Sequence, residues 1–208
     1  IRENPLSGML AARYIETVAR AVEYAHQQGT LHRDLKPANI LIDRDNQPQI
    51  TDFGLARRVD AGSDSTLTKS GQIVGTPSYM PPEQASGKPG EVGPRSDVYA
   101  LGAVLYDLVT GRPPFKAATA AETLIHVVHN DPVSLRALNP RVPRDLETIC
   151  LKCLEKETQR RYRSAAELSE ELGRFLRREP IRARPVSLAG RGWRWCRRNP
   201  VVSSLIAG

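Results

Sequence analysis

Two short polar strings with one predicted hairpin between them constrain this chain more than any other feature. Residues 32–39 read His-Arg-Asp-Leu-Lys-Pro-Ala-Asn, and Asp52-Phe53-Gly54 follows thirteen residues after Asn39. The intervening segment consists of a short apolar run, a cluster of turn-forming residues and a second short strand, which is the pattern of a β-hairpin. Because a hairpin brings its two ends side by side, Asn39 and Asp52 are predicted to converge.

The residue types in these strings suit phosphoryl transfer, which asks a protein mainly to position groups and to neutralise charge. Asp34 could accept a hydrogen bond from a substrate hydroxyl, and Lys36 could offset the negative charge that develops on a phosphate. Asn39 and Asp52 offer hard oxygen ligands suited to Mg²⁺. Either acid alone would be interpreted as a solvated loop residue, but the ordered combination indicates a reaction centre.

These strings are similar to the catalytic loop and the metal-binding loop of protein kinases. Over roughly residues 1–178 the chain resembles a eukaryotic-type protein serine/threonine kinase of the kind that bacteria also carry. The resemblance implies a protein-kinase-like α+β fold, of which this chain is the mainly α-helical C-terminal lobe with a short β-hairpin in the catalytic region. It also implies transfer of the ATP γ-phosphate to Ser or Thr of protein substrates with Mg²⁺ present. Asp34 and Lys36 are then catalytic, and Asn39 and Asp52 bind the metal.

The resemblance assigns roles to two further residues of the loop. It makes His32 a structural residue that braces the loop rather than a general base. Arg33 precedes the catalytic Asp, as in kinases that are switched by activation-loop phosphorylation, and its guanidinium could clamp a phosphate through two parallel hydrogen bonds. The candidate phosphosites are Thr66 and Thr68, followed by Ser65, Ser70 and Ser63.

The activation segment is predicted to run from Asp52 to Glu83. Its end, residues 75–83, resembles the substrate-binding stretch of serine/threonine kinases, and the resemblance implies that Thr76 hydrogen-bonds the catalytic Asp and Lys and shapes a pocket for a small aliphatic hydroxyl. In the family, the counterparts of Glu83 and Arg161 form an ion pair deep in the lobe. The same pair is therefore expected here.

The remaining sequence predicts a helical scaffold. Apolar residues at helical spacing predict a helix over 9–28, which Gly29 ends. Residues 97–110 are apolar nearly all round, which predicts a central helix. Asp97 at its start could cap backbone amides, and the resemblance implies that it also holds the catalytic loop. Further helices are predicted at 143–155 and after two capping boxes, Thr119-x-x-Glu122 and Ser164-x-x-Glu167.

The three cysteines indicate a reducing compartment rather than a disulfide framework. Cys150-x-x-Cys153 lacks the second ligand pair that a zinc site would need. Both residues lie in a predicted helix among apolar neighbours, so they are interpreted as core thiols.

No segment before residue 32 resembles a Gly-rich phosphate loop or a Val-Ala-x-Lys strand. The N-terminal lobe is therefore expected to be missing, at about 80–90 residues in the family's layout, and residues 1–208 alone are expected to bind ATP poorly and to be inactive. Two other functions stay open. One is a pseudokinase or docking scaffold. The other is a small-molecule phosphotransferase, which residues 75–83 argue against because they suit an extended peptide.

The basic character of the chain is confined to its end. The net charge is +7, and residues 174–198 contain nine Arg and one Glu. Residues 179–198 are predicted to be a basic, Arg/Trp-rich juxtamembrane-like tail, and 199–208 to be the possible start of a transmembrane helix, since about 20 residues would complete a span. The parent protein is thus expected at the cytoplasmic side of the cell membrane, or in the cytoplasm if no span follows. A nucleic-acid-binding tail is less favoured.

Overall fold

The computed structural model describes residues 5–53 and 77–183. Within these ranges the chain forms seven α-helices and one two-stranded antiparallel sheet. The helices are α1 (Gly8–Gln27), α2 (Pro82–Ala85), α3 (Pro94–Thr110), α4 (Ala120–His129), α5 (Leu135–Leu138), α6 (Arg144–Cys153) and α7 (Ala165–Leu176), and the strands are β1 (Ile40–Ile42) and β2 (Pro48–Ile50). Short 3₁₀ turns lie at Pro37–Asn39, Pro77–Tyr79, Pro89–Glu91 and Thr158–Arg160. The predicted fold class, a mainly helical lobe with a short hairpin, is confirmed.

Capping interactions satisfy the free backbone groups at both ends of α1. Ser7 is the N-cap, and its hydroxyl accepts a hydrogen bond from the N–H three residues on, at 3.3 Å. At the other end Gly29 has a φ of 73°, and the N–H groups of Gly29 and the next residue donate to the carbonyl oxygens of His26 and Ala25, each at 2.9 Å. This is the Schellman arrangement. The helix predicted over 9–28 is therefore confirmed, with Gly29 just past its end.

The central helix α3 starts earlier than the apolar pattern indicates. Pro94 occupies the first turn, where its missing N–H costs nothing, and the N–H of Gly93 donates to the Ser96 hydroxyl at 3.1 Å. The expectation that Asp97 caps this helix is wrong, because its carboxylate oxygens accept hydrogen bonds from the loop that contains His32 instead.

The core of the molecule is built around α3, which packs against α1, α6 and α7. Residues 96–106 are all buried. At Gly102 the helices approach so closely that a Cβ atom there would lie 2.3 Å from the Cβ of Cys153. Cys150 and Cys153 are fully buried, as predicted for core thiols, and burial raises the pKa of both.

The two predicted capping boxes have different outcomes. At α4 the box is complete, because the Glu122 N–H donates to the Thr119 hydroxyl at 3.1 Å and the Thr119 N–H donates to the Glu122 carboxylate at 3.3 Å. At α7 only half of the box forms. The Glu167 N–H donates to the Ser164 hydroxyl at 3.1 Å, but the Glu167 carboxylate accepts the N–H of Arg163, at 2.6 Å.

Strands β1 and β2 form the predicted hairpin. They pair antiparallel with Ile40 opposite Ile50. The turn is closed by the Asp43 carboxylate, which accepts two backbone N–H groups at 2.8 and 2.9 Å. The left-handed residue Asn46 (φ 59°) accepts a hydrogen bond from the hydroxyl of Tyr14 on α1. The hairpin is thus fixed to the helical core.

The described part of the chain ends beside α7. The buried carboxylate of Glu171 accepts the N–H groups of Arg182 and Ala183, at 2.7 and 3.0 Å. The predicted span start, 199–208, and residues 184–198 of the predicted tail, 179–198, lie outside the described residues. Within residues 5–53 and 77–183, no helix is both long enough and apolar enough to cross a membrane.

Candidate active site

Three of the predicted catalytic-loop side chains form one hydrogen-bonded group. Lys36 Nζ lies 2.7 Å from Asp34 Oδ2. Asn39 Nδ2 donates to that same oxygen at 3.2 Å and to the Asp34 carbonyl oxygen at 2.8 Å. Asn39 is 6% exposed, whereas the Asp34 side chain is 42% exposed. A buried amide therefore orients a carboxylate that a substrate can reach.

The hairpin brings Asp52 to the same end as this group. The Thr51 N–H donates to the Asn39 carbonyl oxygen at 3.0 Å, which extends the ladder by one pair beyond the two strands. Asp52 follows directly, with an exposed side chain and a φ of 61°. Left-handed backbone is uncommon for residues other than glycine and is concentrated at functional sites. The hairpin therefore places the backbone of Asp52 next to the paired residues Asn39 and Thr51; the convergence of the Asp34, Asn39 and Asp52 side chains stays a prediction.

His32 connects the catalytic loop to the strand that leads to Asp52. Its ring is buried, with Nε2 3.1 Å from the Thr51 carbonyl oxygen and Nδ1 3.4 Å from the Asp34 N–H. Because a carbonyl oxygen only accepts, Nε2 carries the proton and Nδ1 accepts. The ring also packs on Phe53 at 4.7 Å between centroids. Both ring nitrogens form hydrogen bonds with backbone groups, so His32 connects the two segments structurally.

Asp97 holds the backbone of the catalytic loop. Its Oδ1 accepts the Arg33 N–H at 2.8 Å and its Oδ2 accepts the His32 N–H at 2.9 Å. A third partner, His26 Nε2, lies 2.7 Å from Oδ2. Sequence reasoning missed His26; the one signal it offers is its place in the last turn of the helix that precedes the loop.

Glu83 and Arg161 form a buried bidentate ion pair. Arg161 Nη1 and Nη2 donate to the two Glu83 oxygens at 2.7 and 2.8 Å, and the Ser96 hydroxyl donates to the same carboxylate at 2.7 Å. Burial alone would raise the pKa of Glu83, but the hydrogen bonds and charge of Arg161 and the Ser96 hydroxyl hold that pKa below its ordinary value. The Arg161 guanidinium also donates to the carbonyl oxygens of Arg95, Glu155 and Lys156.

Several predicted residues of the activation segment lie outside the described residues. They are Thr76, Thr66, Thr68, Ser65 and Ser70. Near the start of the second described range, 77–183, the Tyr79 hydroxyl donates to Asp107 Oδ2 on α3 at 2.7 Å. Burial, together with the hydrogen bond and charge of Asp107, raises the pKa of Tyr79, so the phenol stays protonated as a donor. The sequence pattern gives no signal for this anchor.

Asn39 and Asp52 each carry an oxygen of the kind that Mg²⁺ prefers. Because the Asn39 amide nitrogen donates to Asp34, the amide oxygen is left for another partner. No group of three or more His, Cys, Asp or Glu side chains in the described part of the chain could hold a metal ion. A cation here would take one carboxylate and one amide oxygen from the protein and its other ligands from water or phosphate, a pattern common for Mg²⁺.

Comparison with known proteins gives related sequences over most of the chain. Residues 1–172 match the protein kinase domain family. The chain is 39% identical over 181 residues to serine/threonine-protein kinase PknB of Mycobacterium tuberculosis. The aligned residues cover 87% of this chain and 28% of that protein. A probable serine/threonine-protein kinase of Clostridium acetobutylicum is 38% identical over 159 residues, 76% of this chain and 23% of that protein. The chain thus spans less than a third of the length of either relative.

A solved structure agrees in fold. The crystal structure of Rad53 1-466 in complex with AMP-PNP gives a TM-score of 0.64 at 24% identity, covering 80% of this chain and 40% of that chain. At this identity the likeness supports the fold alone. The family match, on the other hand, extends over the loop and hairpin described above. The chain therefore belongs to the protein kinase domain family.

Proposed function

We propose that this chain supplies the catalytic loop, the metal ligands and the substrate-binding stretch of a protein serine/threonine kinase, which transfers the γ-phosphate of ATP to Ser or Thr of protein substrates. The single observation that carries the proposal is the hydrogen-bonded group of Asp34, Lys36 and Asn39 at the end of the hairpin that delivers Asp52. The relatives named as serine/threonine kinases support the same activity.

Each residue of the group has a distinct part in that reaction. The exposed Asp34 carboxylate would accept a hydrogen bond from the substrate hydroxyl and orient its oxygen toward the phosphate. Lys36, held 2.7 Å from Asp34, places a positive charge where negative charge develops on the phosphate. Asn39 keeps Asp34 oriented through its amide nitrogen. The work is positioning and charge neutralisation, which is most of what phosphoryl transfer needs from a protein.

Asn39 and Asp52 are the residues that would hold Mg²⁺. When bound, the ion neutralises charge on the nucleotide phosphates. Asp52 supplies the anionic ligand, and its left-handed backbone sets the direction of its side chain at the end of the hairpin. Asn39 supplies the neutral ligand, with its amide already fixed by Asp34.

Regulation by phosphorylation belongs to the same proposal. Arg33 would clamp a phosphate on the activation segment, with Thr66 and Thr68 as the first candidates and Ser65 and Ser70 next. Thr76 would adjoin Asp34 and help to select a small aliphatic hydroxyl. The relation of the loop to Asp97, which accepts the Arg33 N–H, supports a fixed position for this arginine. Mass spectrometry of active protein is expected to find at least one of these hydroxyls modified; an active protein with none modified would contradict the clamp.

The parent protein is proposed to lie at the cytoplasmic face of the cell membrane. The support is the run of arginines and two tryptophans in residues 191–198, followed by the uncharged run 201–208. Protein expressed from the full reading frame should sediment with membranes and be released by detergent but not by high salt. Recovery in the soluble fraction at low salt would contradict this placement.

The activity is tested with protein from the full reading frame, radiolabelled ATP, Mg²⁺ and casein as a generic substrate. Asp34→Asn keeps the shape of the side chain but removes its charge, so transfer is expected to fall by about 10²–10⁴-fold. Asp45→Asn is the matched control, since Asp45 is an exposed carboxylate in the turn of the same hairpin and is expected to leave transfer unchanged.

Each alternative has its own outcome in this experiment. Equal transfer by wild type and the Asp34→Asn variant would contradict the assignment of Asp34. ATP binding without transfer by wild type would indicate a pseudokinase or docking scaffold. Label that appears in a small acceptor but never in protein would indicate a small-molecule phosphotransferase.

A further inference from the structure

His26 lies outside the catalytic loop and makes a buried polar contact with Asp97. His26 lies in the last turn of α1, and its side chain is 6% exposed. Its Nε2 lies 2.7 Å from Oδ2 of Asp97, whose side chain is 1% exposed. Since a carboxylate oxygen only accepts, Nε2 is the donor. The contact links the end of one core helix to the first turn of another.

The carboxylate that His26 contacts is the one that holds the catalytic loop. Both Asp97 oxygens accept loop N–H groups, one from His32 at 2.9 Å and one from Arg33 at 2.8 Å. Arg33 has a φ of 68°, in the left-handed region that a residue with a side chain seldom adopts. Such a conformation persists where its surroundings fix it. Asp34 follows directly, so the direction of its carboxylate depends on this anchor.

We infer that His26 is a positioning residue for the proposed phosphotransfer. Its Nε2–H fixes the rotation of the Asp97 carboxylate so that both oxygens stay aligned with the His32 and Arg33 amides, and through them it holds Asp34. Charge-assisted hydrogen bonds of this kind are short and directional. The inference rests on the proposed function for its effect on rate, but the positioning itself is independent of any activity.

The second ring nitrogen of His26, Nδ1, shows how many hydrogen bonds this side chain makes. Within the described residues, His26 Nδ1 is buried and has no hydrogen-bond partner. The imidazole therefore serves here through a single N–H donor, and a second donor or acceptor has no use at this site. A glutamine places an amide N–H at a similar distance from the backbone as the imidazole Nε2, so His26→Gln should preserve the role and His26→Leu should abolish it.

Amide hydrogen exchange on the full chain tests the positioning directly. In His26→Leu the His32 and Arg33 N–H groups are expected to exchange at least about tenfold faster, since a hydrogen bond to a charged group is worth that much or more. In His26→Gln they should exchange at the wild-type rate. Amides of α7 serve as the internal reference. Unchanged exchange in the leucine variant, or equal acceleration in both variants, would overturn the inference.

Kinetics on protein from the full reading frame test the consequence. His26→Leu is expected to lower kcat at least about tenfold with little change in KM for ATP or casein, because the substrate contacts stay while the orientation of Asp34 is lost. His26→Gln should restore most of kcat. A fall confined to KM, or no recovery with glutamine, would overturn the positioning role.

If His26→Leu does not fold, His26→Gln decides alone: wild-type exchange at His32 and Arg33 supports the inference, and faster exchange overturns it. If the wild-type protein transfers no phosphate, the proposed function fails, while the exchange experiment still decides whether His26 holds the loop.

Discussion

Arg161 donates two parallel hydrogen bonds to Glu83, from Nη1 at 2.7 Å and Nη2 at 2.8 Å, although the residues are 78 positions apart in the chain. Their side chains are 0% and 2% exposed. The pair fixes the start of α2, and hence the end of the proposed substrate-binding stretch, to the segment after α6. Since neither charge reaches water, each depends on the other.

Removing one member of this pair should lower the stability of the protein far more than removing a surface charge. Arg161→Ala leaves the Glu83 carboxylate buried and unpaired, which is expected to lower the free energy of unfolding by about 3–5 kcal/mol. Thermal and urea denaturation measure this. Arg160→Ala is the matched control, because Arg160 pairs with Glu157 at 3.0 Å on the exposed surface and should change stability by less than about 1 kcal/mol. Equal melting temperatures for wild type and Arg161→Ala would contradict the role of the pair.

The same pair predicts how stability depends on acid. The pKa of Glu83 is held below its ordinary value of 4.5, since the hydrogen bonds and charge of Arg161 outweigh the effect of burial. A carboxyl group whose pKa is lowered by folding stabilises the protein fully above the unfolded pKa, and the stabilisation is lost as pH falls through the folded pKa. The stabilisation that Glu83 contributes should therefore be lost progressively as the pH falls below 4.5.

Urea denaturation at a series of acidic pH values measures that loss. Glu83→Gln removes the titrating group, so this variant should be less stable at neutral pH and its stability should fall less steeply with acid than that of wild type. If the two slopes are parallel, Glu83 is not the group responsible. The comparison uses differences between variants because other carboxyl groups titrate in the same range.

Local sequence signals predicted the parts of the site that lie close together in the chain. The turn chemistry after Asp43 predicts a hairpin, and the hairpin alone is enough to bring Asn39 beside Asp52. The pairing of Glu83 with Arg161 has no local signal, and it could be expected only from the resemblance to kinases. The same holds for the approach of Asp97 to the catalytic loop.

Tertiary contacts account for what the sequence could not predict. His26 and Asp97 are 71 positions apart, and nothing in helical periodicity indicates which buried side chains will meet. Asp97 was expected to cap α3 because the apolar pattern begins there, but Pro94 at the first turn carries the helix start three residues earlier. Ser164 and Glu167 have the spacing of a capping box, yet the Glu167 carboxylate accepts the N–H of Arg163 instead.

The contact of α3 with α6 predicts that Gly102 is not replaceable. A Cβ atom at this position would lie 2.3 Å from the Cβ of Cys153, and both helices are buried, so Gly102→Ala should lower stability by about 1–3 kcal/mol. Gly90→Ala is the control, because a Cβ there would meet no atom within 4 Å. Cys153→Ala should not rescue the first variant, since alanine keeps the offending Cβ. If the Gly102→Ala protein were as stable as wild type, α3 and α6 would be able to move apart at this contact without loss of stability.

Two buried tyrosines of α3 offer a matched test of unpaired polar groups. Tyr99 and Tyr106 are each 0% exposed. The Tyr106 hydroxyl donates to the Val133 carbonyl oxygen at 3.0 Å, whereas in the described part of the chain the Tyr99 hydroxyl has no hydrogen-bond partner. Burial raises the pKa of both phenols, that of Tyr106 to about 12, so both are neutral at neutral pH.

The two phenylalanine substitutions should therefore differ in their effect on stability. Tyr106→Phe removes a hydrogen bond and leaves the Val133 carbonyl oxygen without that donor, which should lower the free energy of unfolding by about 1 kcal/mol. Tyr99→Phe removes a buried hydroxyl that gains nothing from the fold, so stability should stay the same or rise by up to about 1 kcal/mol. Urea denaturation of the two variants beside wild type measures both effects. A clear loss of stability in Tyr99→Phe would mean that its hydroxyl has a partner, such as a buried water molecule, that the protein atoms alone do not reveal.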